Sequence, residues 1–312
     1  MDAHARIVAA HALTASFASA AAAGRDYGME DDPDWRTVRW PEHLRAVTVD
    51  GRRVHLAALG DGERRLLLLV HGLGGRWQNW LANIPRLARQ RRVVALDLPG
   101  FGRSQMPLEP VSIAGYARAL DRVCDLLELD EPAVAGHSLG GLVASELALR
   151  FPRRVGALVL VDTATLLPGE LKPRAAHLAL QLASLLTGML PSGPIARPRA
   201  RQLAFAGVIR HPTLIAPELL YELTGGAHAP GGIAALNALA AHDIDGELRE
   251  IAAPTLIIHG RDDLLIAAAD AERLATLIPG AELEIFENTG HMPMLERPTR
   301  FNDAVERFLE AR

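Results

Sequence analysis

The chain lacks the features that would tie it to a metal, a membrane or a nucleic acid. It holds a single cysteine, Cys124, so an internal disulfide is excluded and the compartment is left open. Cys124 falls in the series Ile113, Tyr116, Ala117, Leu120, Val123, Cys124, Leu127, whose helical spacing makes the thiol a core group rather than a nucleophile. There is no excess of positive charge: 33 Lys and Arg against 37 Asp and Glu leave a net charge of −4, mixed throughout. That balance argues against nucleic acid and against a polybasic membrane patch as partners. No ligand spacing such as His-Glu-x-x-His occurs, so neither a metal nor a cofactor is expected. The apolar runs 66–70 and 178–190 are too short to span a bilayer, and no stable membrane insertion is expected. Internal repeats are absent.

What is present suits one large α/β domain with an insertion, or two domains: 312 residues, 49% of them hydrophobic. Residues 7–23 are alanine-rich and almost uncharged, and Ala18-Ser19-Ala20 resembles a secretory cleavage site. Asp2, His4 and His11 weaken that reading. A helix packed on the domain or on a partner subunit, in a cytoplasmic protein, is the expectation. Residues 25–41, acidic and punctuated by proline, read as a linker, so residues 1–41 form an N-terminal segment outside the domain.

From residue 42 the pattern is regular. Residues 46–49 and 52–59 alternate about Asp50-Gly51 as an antiparallel hairpin would. Continuous apolar runs follow at 66–70, 93–96, 133–135, 157–161, 255–258 and 283–286, as expected for strands buried on both faces. Helical stretches separate them, and the last carries Phe301, Val305, Phe308 and Leu309 on one face. Alternation of this kind predicts a doubly wound, mainly parallel sheet. It is broken once. Residues 164–246 contain no convincing strand but helical stretches at 175–190, 200–209, 217–223 and 232–241, which read as a helical cap inserted into a core of 42–163 and 247–312. An apolar cap of this kind suits a lid over a hydrophobic pocket.

The stretch that carries chemistry is Gly136-His137-Ser138-Leu139-Gly140-Gly141, set between the apolar run 133–135 and a helical run. A chain of this length meets Gly-x-Ser-x-Gly by chance about one time in ten, so the flanking strand and helix matter. A serine at such a corner is backbone-strained, its hydroxyl is lifted out of the sheet, and the first N–H groups of the helix face the space beside it. Serine is a poor nucleophile without a base that a carboxylate orients. In a parallel sheet those partners should follow strand ends. Two places qualify: His259-Gly260-Arg261-Asp262-Asp263, and Gly290-His291-Met292-Pro293.

Six pieces in order, His71-Gly72-Leu73-Gly74-Gly75, Asp97 to Ser104, the Ser138 turn, a cap-length insert, the Asp262-Asp263 turn and Gly290-His291, together resemble the α/β-hydrolase superfamily over residues 42–312. The resemblance implies an eight-stranded sheet, Ser138 as nucleophile, His291 as general base and then acid, and Asp263 as the group orienting the imidazole. Asp262 is the runner-up acid and Asp162 a more distant one. It also implies an oxyanion hole from the backbone N–H groups of Leu73 and Leu139, and a structural role for residues 97–104. Trp77, Trp80, His137 and Met292 are candidates for an apolar substrate pocket, with Trp77 and Trp80 equally readable as fold anchors. The serine argues for attack on an acyl carbonyl, hence an esterase acting on small or medium apolar esters. A carbon–carbon bond hydrolase is disfavoured by Gly-His-Ser at the elbow, and a hydrolase-fold binding protein is the alternative of another class. The cap and the N-terminal segment are the two places for a homodimer contact.

Overall fold

The computed structural model describes residues 23–31, 33–163, 197–226, 229–244 and 246–312. The helices expected at 175–190 and through most of 7–23 lie outside them. The turn Asp50-Gly51 has positive φ at both residues, the two-residue geometry that matches strand twist, and joins β1 (Leu44–Val49) to β2 (Arg52–Val70). β3 (Arg91–Leu96), β4 (Ala133–His137), β5 (Ala157–Val161), β6 (Thr255–Gly260) and β7 (Glu282–Phe286) complete one sheet.

The hairpin strand and the apolar run 66–70 are one continuous strand, β2, where the pattern predicts two. Its first half pairs Leu56 to Leu59 against Leu96 to Val93, and its second half pairs Leu67 to Val70 alongside Val93 to Leu96. β3 is therefore flanked on both sides by β2, whose exposed Gly60-Asp61 stretch makes the passage. Among the described residues, seven hydrogen-bonded strands thus supply eight strand segments. From Leu67 onward every pairing is parallel, through β4, β5, β6 and β7.

Parallel pairing buries both faces, which is why those strands are apolar at consecutive positions. Leu67, Leu69, Ala135 and Val159 pack on one side with Trp80 and Phe301; Leu68, Val70, Val134 and Leu158 pack on the other with Leu120, Val143 and Leu274. The first side is covered by α7 (Pro298–Glu310), the second by α1 (Ile113–Leu126), α2 (Leu139–Arg150) and α6 (Ala268–Leu277). Ser112 caps α1 by accepting from the Gly115 N–H, and Cys124 is fully buried on its inner face, as its spacing predicts.

Between β5 and β6 the described residues form α3 (Pro198–Phe205), α4 (Pro217–Thr224) and α5 (Gly232–Ala241) and no strand. Hydrogen bonds tie this insertion to loops at the C-terminal ends of the strands: Gly231 N–H to Gly100 O at 2.9 Å, and the Arg76 guanidinium to Glu222 Oε2 at 2.8 Å. The linker expectation for 25–41 fails for its first part. Tyr27 is buried, the Gly28 N–H donates to Glu296 O at 2.7 Å, and Arg297 holds Ala23 O at 2.7 Å. Local composition marks this stretch as polar, but its contacts are with the far end of the chain. No helix among the described residues is long and apolar enough to cross a membrane.

Candidate active site

Ser138 stands between β4 and α2 with φ 53° and ψ −116°, a region that side chains with a Cβ rarely adopt. Close approach dictates the flanking glycines. A Cβ at Gly136 would lie 2.2 Å from Gly140 O, and one at Gly140 would lie 2.4 Å from Val70 O. The corner is pinned by the Ser138 N–H donating to Val161 O at 2.8 Å. The loop after β2 lies against it: a Cβ on Gly72 would stand 3.1 Å from Ser138 Cβ. The N–H groups of Leu73, on that loop, and of Leu139, the first residue of α2, donate to no acceptor among the described residues. His71 is buried and held neutral by that burial; its Nε2 accepts the Leu98 N–H at 3.0 Å. Asp97 accepts from the N–H groups of Trp77 and Arg103 at 2.9 Å each, so the 97–104 motif is a brace for this loop.

His291 follows β7. Its Nδ1 donates to Asp263 Oδ2 at 2.7 Å, which leaves the lone pair on Nε2. Asp263 Oδ1 accepts from the N–H groups of Leu265 and Ile266 at 2.7 and 3.2 Å. Burial by itself would raise the Asp263 carboxyl, but His291, His259 and these backbone donors outweigh it and hold the group below its ordinary value. Asp262, its neighbour, faces Arg210 at 3.5 Å and does not reach the imidazole. No hydrogen bond joins the Ser138 hydroxyl to His291 among the described residues; catalytic hydrogen bonds of unliganded sites are commonly long. The imidazole nevertheless lies beside the elbow. Its ring centroid is 4.8 Å from that of His137, the residue before Ser138.

A second buried acid adjoins the pair. Asp162 Oδ1 accepts the Gly260 N–H at 2.9 Å and lies 3.1 Å from His259 Nδ1, while His259 Nε2 donates to Ile266 O at 3.0 Å. Burial pushes the His259 pKa down, and with Nε2 donating, the neutral ring keeps its lone pair on Nδ1, facing Asp162. Burial, and then the charge of Asp263, push Asp162 well above the ordinary carboxylate value. Its Oδ2 is buried without a partner among the described residues. The ligand-type atoms of His137, Asp162 and His291, and those of Asp162, His259 and Asp263, lie within 4.8 Å of one another in each triple. These are distances at which a cation could be held, but the contacts are a His259 Nδ1 lone pair facing the Asp162 carboxyl and a His291 Nδ1–H donated to Asp263.

The four residues expected to line a substrate pocket are placed otherwise. Trp77 packs on Trp40 with centroids 4.9 Å apart and Trp80 on Phe301 at 6.0 Å, both in the core behind the site, so they anchor the fold. Met292 is buried in the same core. His137 Nε2 donates to His291 O at 2.7 Å and its Nδ1 is buried without a partner among the described residues; burial, then the neighbouring His291, push its pKa down to about 3, so it is a neutral support for the histidine loop. A cavity of 270 Å³ does open beside the imidazole, lined by Val208, Ile209, Arg210, Asp262, Asp263 and His291 among others. Asp162 as a protonated neighbour could have been suspected from its place after a strand. Glu296, which bonds to the histidine loop, had no such signal.

The family model described as "Alpha/beta hydrolase family" matches residues 67–304. The chain is 32% identical to the 2-hydroxy-6-oxo-2,4-heptadienoate hydrolase of Pseudomonas putida, over 86% of this chain and 96% of that one. It is 29% identical to the 3-oxoadipate enol-lactonase 2 of Acinetobacter baylyi, over 83% and 94%. A thermophilic esterase from Thermogutta terrifontis superposes with a TM-score of 0.69 at 25% identity, covering 86% of this chain and 98% of that one.

Proposed function

The chain belongs to the alpha/beta hydrolase family, and on that premise we propose that it is a serine hydrolase cleaving small or medium apolar carboxylic esters through an acyl-enzyme. One observation carries the reading: His291 Nδ1 bound to the buried Asp263 carboxylate at 2.7 Å, which commits Nε2 to accepting a proton beside the Ser138 elbow. Ser138 Oγ attacks the acyl carbonyl as Nε2 takes its proton. The Leu73 and Leu139 N–H groups receive the oxyanion, and the imidazolium, facing Asp263, returns the proton to the leaving alcohol. Water repeats the sequence. Half-buried Leu73, and Val208 and Ile209 of the insertion, which line the cavity beside the imidazole, supply apolar surface for the acyl or alcohol part.

The test is hydrolysis of p-nitrophenyl esters from acetate to octanoate. Ser138→Ala is expected to abolish turnover and fluorophosphonate labelling; a folded wild-type chain that hydrolyses none of a broad ester panel would sink the assignment. A second reading, carbon–carbon bond hydrolysis of a dienoate, is favoured by the 32% identity to the heptadienoate hydrolase. A kcat/KM for such a dienoate well above that for any ester would make it the better one.

A further inference from the structure

Glu296 ends the helical turn Pro293–Glu296 and has no exposed surface, although five residues earlier the chain carries His291. Its carboxylate is surrounded by donors alone. Oε2 accepts the Gly290 N–H at 2.9 Å, the Arg210 N–H at 2.9 Å and the Tyr27 hydroxyl at 2.6 Å, and Oε1 accepts the Met292 N–H at 3.2 Å. Tyr27 Oη in turn accepts the His211 N–H at 2.8 Å, so its own proton is free only toward Glu296. A protonated Glu296 would set a fifth donor against four, and the pattern is that of an ionised acceptor. Burial works against that charge and raises the carboxyl; Tyr27 and the three backbone donors oppose the rise.

The geometry is specific to the histidine loop. Glu296 binds the amide on each side of His291, and the His291 N–H donates to Val208 O at 2.9 Å. Gly290 has no room to shift: a Cβ there would lie 2.9 Å from Arg210 N and 3.0 Å from Glu296 Oε1. One carboxylate therefore joins three segments distant in sequence, the N-terminal stretch through Tyr27, the insertion through Arg210, and the loop that carries the imidazole.

We propose that Glu296 is a positioning residue for the reaction: it clamps the backbone on both sides of His291 and makes the imidazole's place depend on the insertion and the N-terminal segment being docked. This rests on His291 acting as the base for Ser138. Misplacement of a reacting group by about 1 Å lowers rate about 100-fold without weakening substrate binding in proportion.

The experiment compares Glu296→Gln, Glu296→Asp and Tyr27→Phe in the full chain, with kcat and KM on p-nitrophenyl butyrate normalised to end-point fluorophosphonate titration of Ser138. Glu296→Gln, which turns an amide against the donors, is expected to lower kcat about 100-fold at nearly unchanged KM. Glu296→Asp should recover part of the loss. Tyr27→Phe should lower kcat about tenfold, the equivalent of one hydrogen bond. Hydrogen exchange supplies a readout independent of turnover: the peptide spanning 289–293 should exchange at least about tenfold faster in Glu296→Gln while β7 stays protected. Unchanged kcat per titrated site in Glu296→Gln, or exchange that rises equally in β7, would overturn the proposal. If Glu296→Gln does not fold, Tyr27→Phe decides by the same two readouts. A wild-type chain without ester turnover would count against the hydrolytic reading, whereas the exchange result would still judge the clamp.

Discussion

A carboxylate orients an imidazole only when it shares the imidazole's dry environment, and here adjacent residues differ in that respect. Asp263 is buried and 2.7 Å from His291 Nδ1; Asp262 is part exposed and pairs with Arg210. Asp263→Asn is expected to lower kcat about 10⁴-fold through the wrong tautomer, and Asp262→Asn by less than about threefold, measured on active-site-titrated enzyme. The reverse order would transfer the role to Asp262. Asp162 gives a pH prediction. Its folded pKa is raised, so above the unfolded value of about 3.9 the native state keeps a proton that the unfolded chain has released. Stability from this group therefore falls as pH rises from about 4 toward neutrality. Asp162→Asn, which is neutral at every pH, should remove that decline from urea midpoints taken between pH 4 and 7; an unaltered slope would mean that Asp162 is ionised in the native state.

At the scale of elements, strand, corner and helix act as one device. The strain at Ser138 is borne because β4 is held on both sides by parallel partners and because α2 starts without an intervening loop. Gly140→Ala would drive a methyl to 2.4 Å from Val70 O and 2.5 Å from His71 O. It is expected to destabilise the fold by about 3 kcal/mol and to slow fluorophosphonate labelling of Ser138, read by urea unfolding and by the labelling rate. Wild-type stability and labelling in this variant would mean that the corner relaxes freely. These elements were legible beforehand because strand and helix periodicities and the Gly-x-Ser-x-Gly signal are local. The fusion of the hairpin strand with the run 66–70 was not, since both halves of β2 read correctly by themselves and only their common neighbour β3 reveals the bend between them.

Over the whole molecule, residues 23–31 and the insertion are fastened to the body at the histidine loop. Arg297, almost fully buried, donates to Thr289 Oγ1 at 2.8 Å, Glu287 O at 2.9 Å and Ala23 O at 2.7 Å, and pairs with Asp26. Arg297→Ala leaves those acceptors without their donor and is expected to cost about 3 kcal/mol, visible as a lower urea midpoint and as faster proteolysis near residue 25. No change in midpoint would mean that the N-terminal stretch contributes nothing to stability.

The residues able to carry the chemistry, their order and the α/β alternation were determined by sequence alone, because each depends on patterns within a dozen residues. The resemblance already preferred Asp263 to Asp262, but the 2.7 Å contact of Asp263 with His291, the withdrawal of Trp77 and Trp80 into the core, and the docking of Tyr27 on Glu296 were decided only by the tertiary structure. The last joins residues 269 apart, and burial and hydrogen-bond complementarity at such separations leave no local signature.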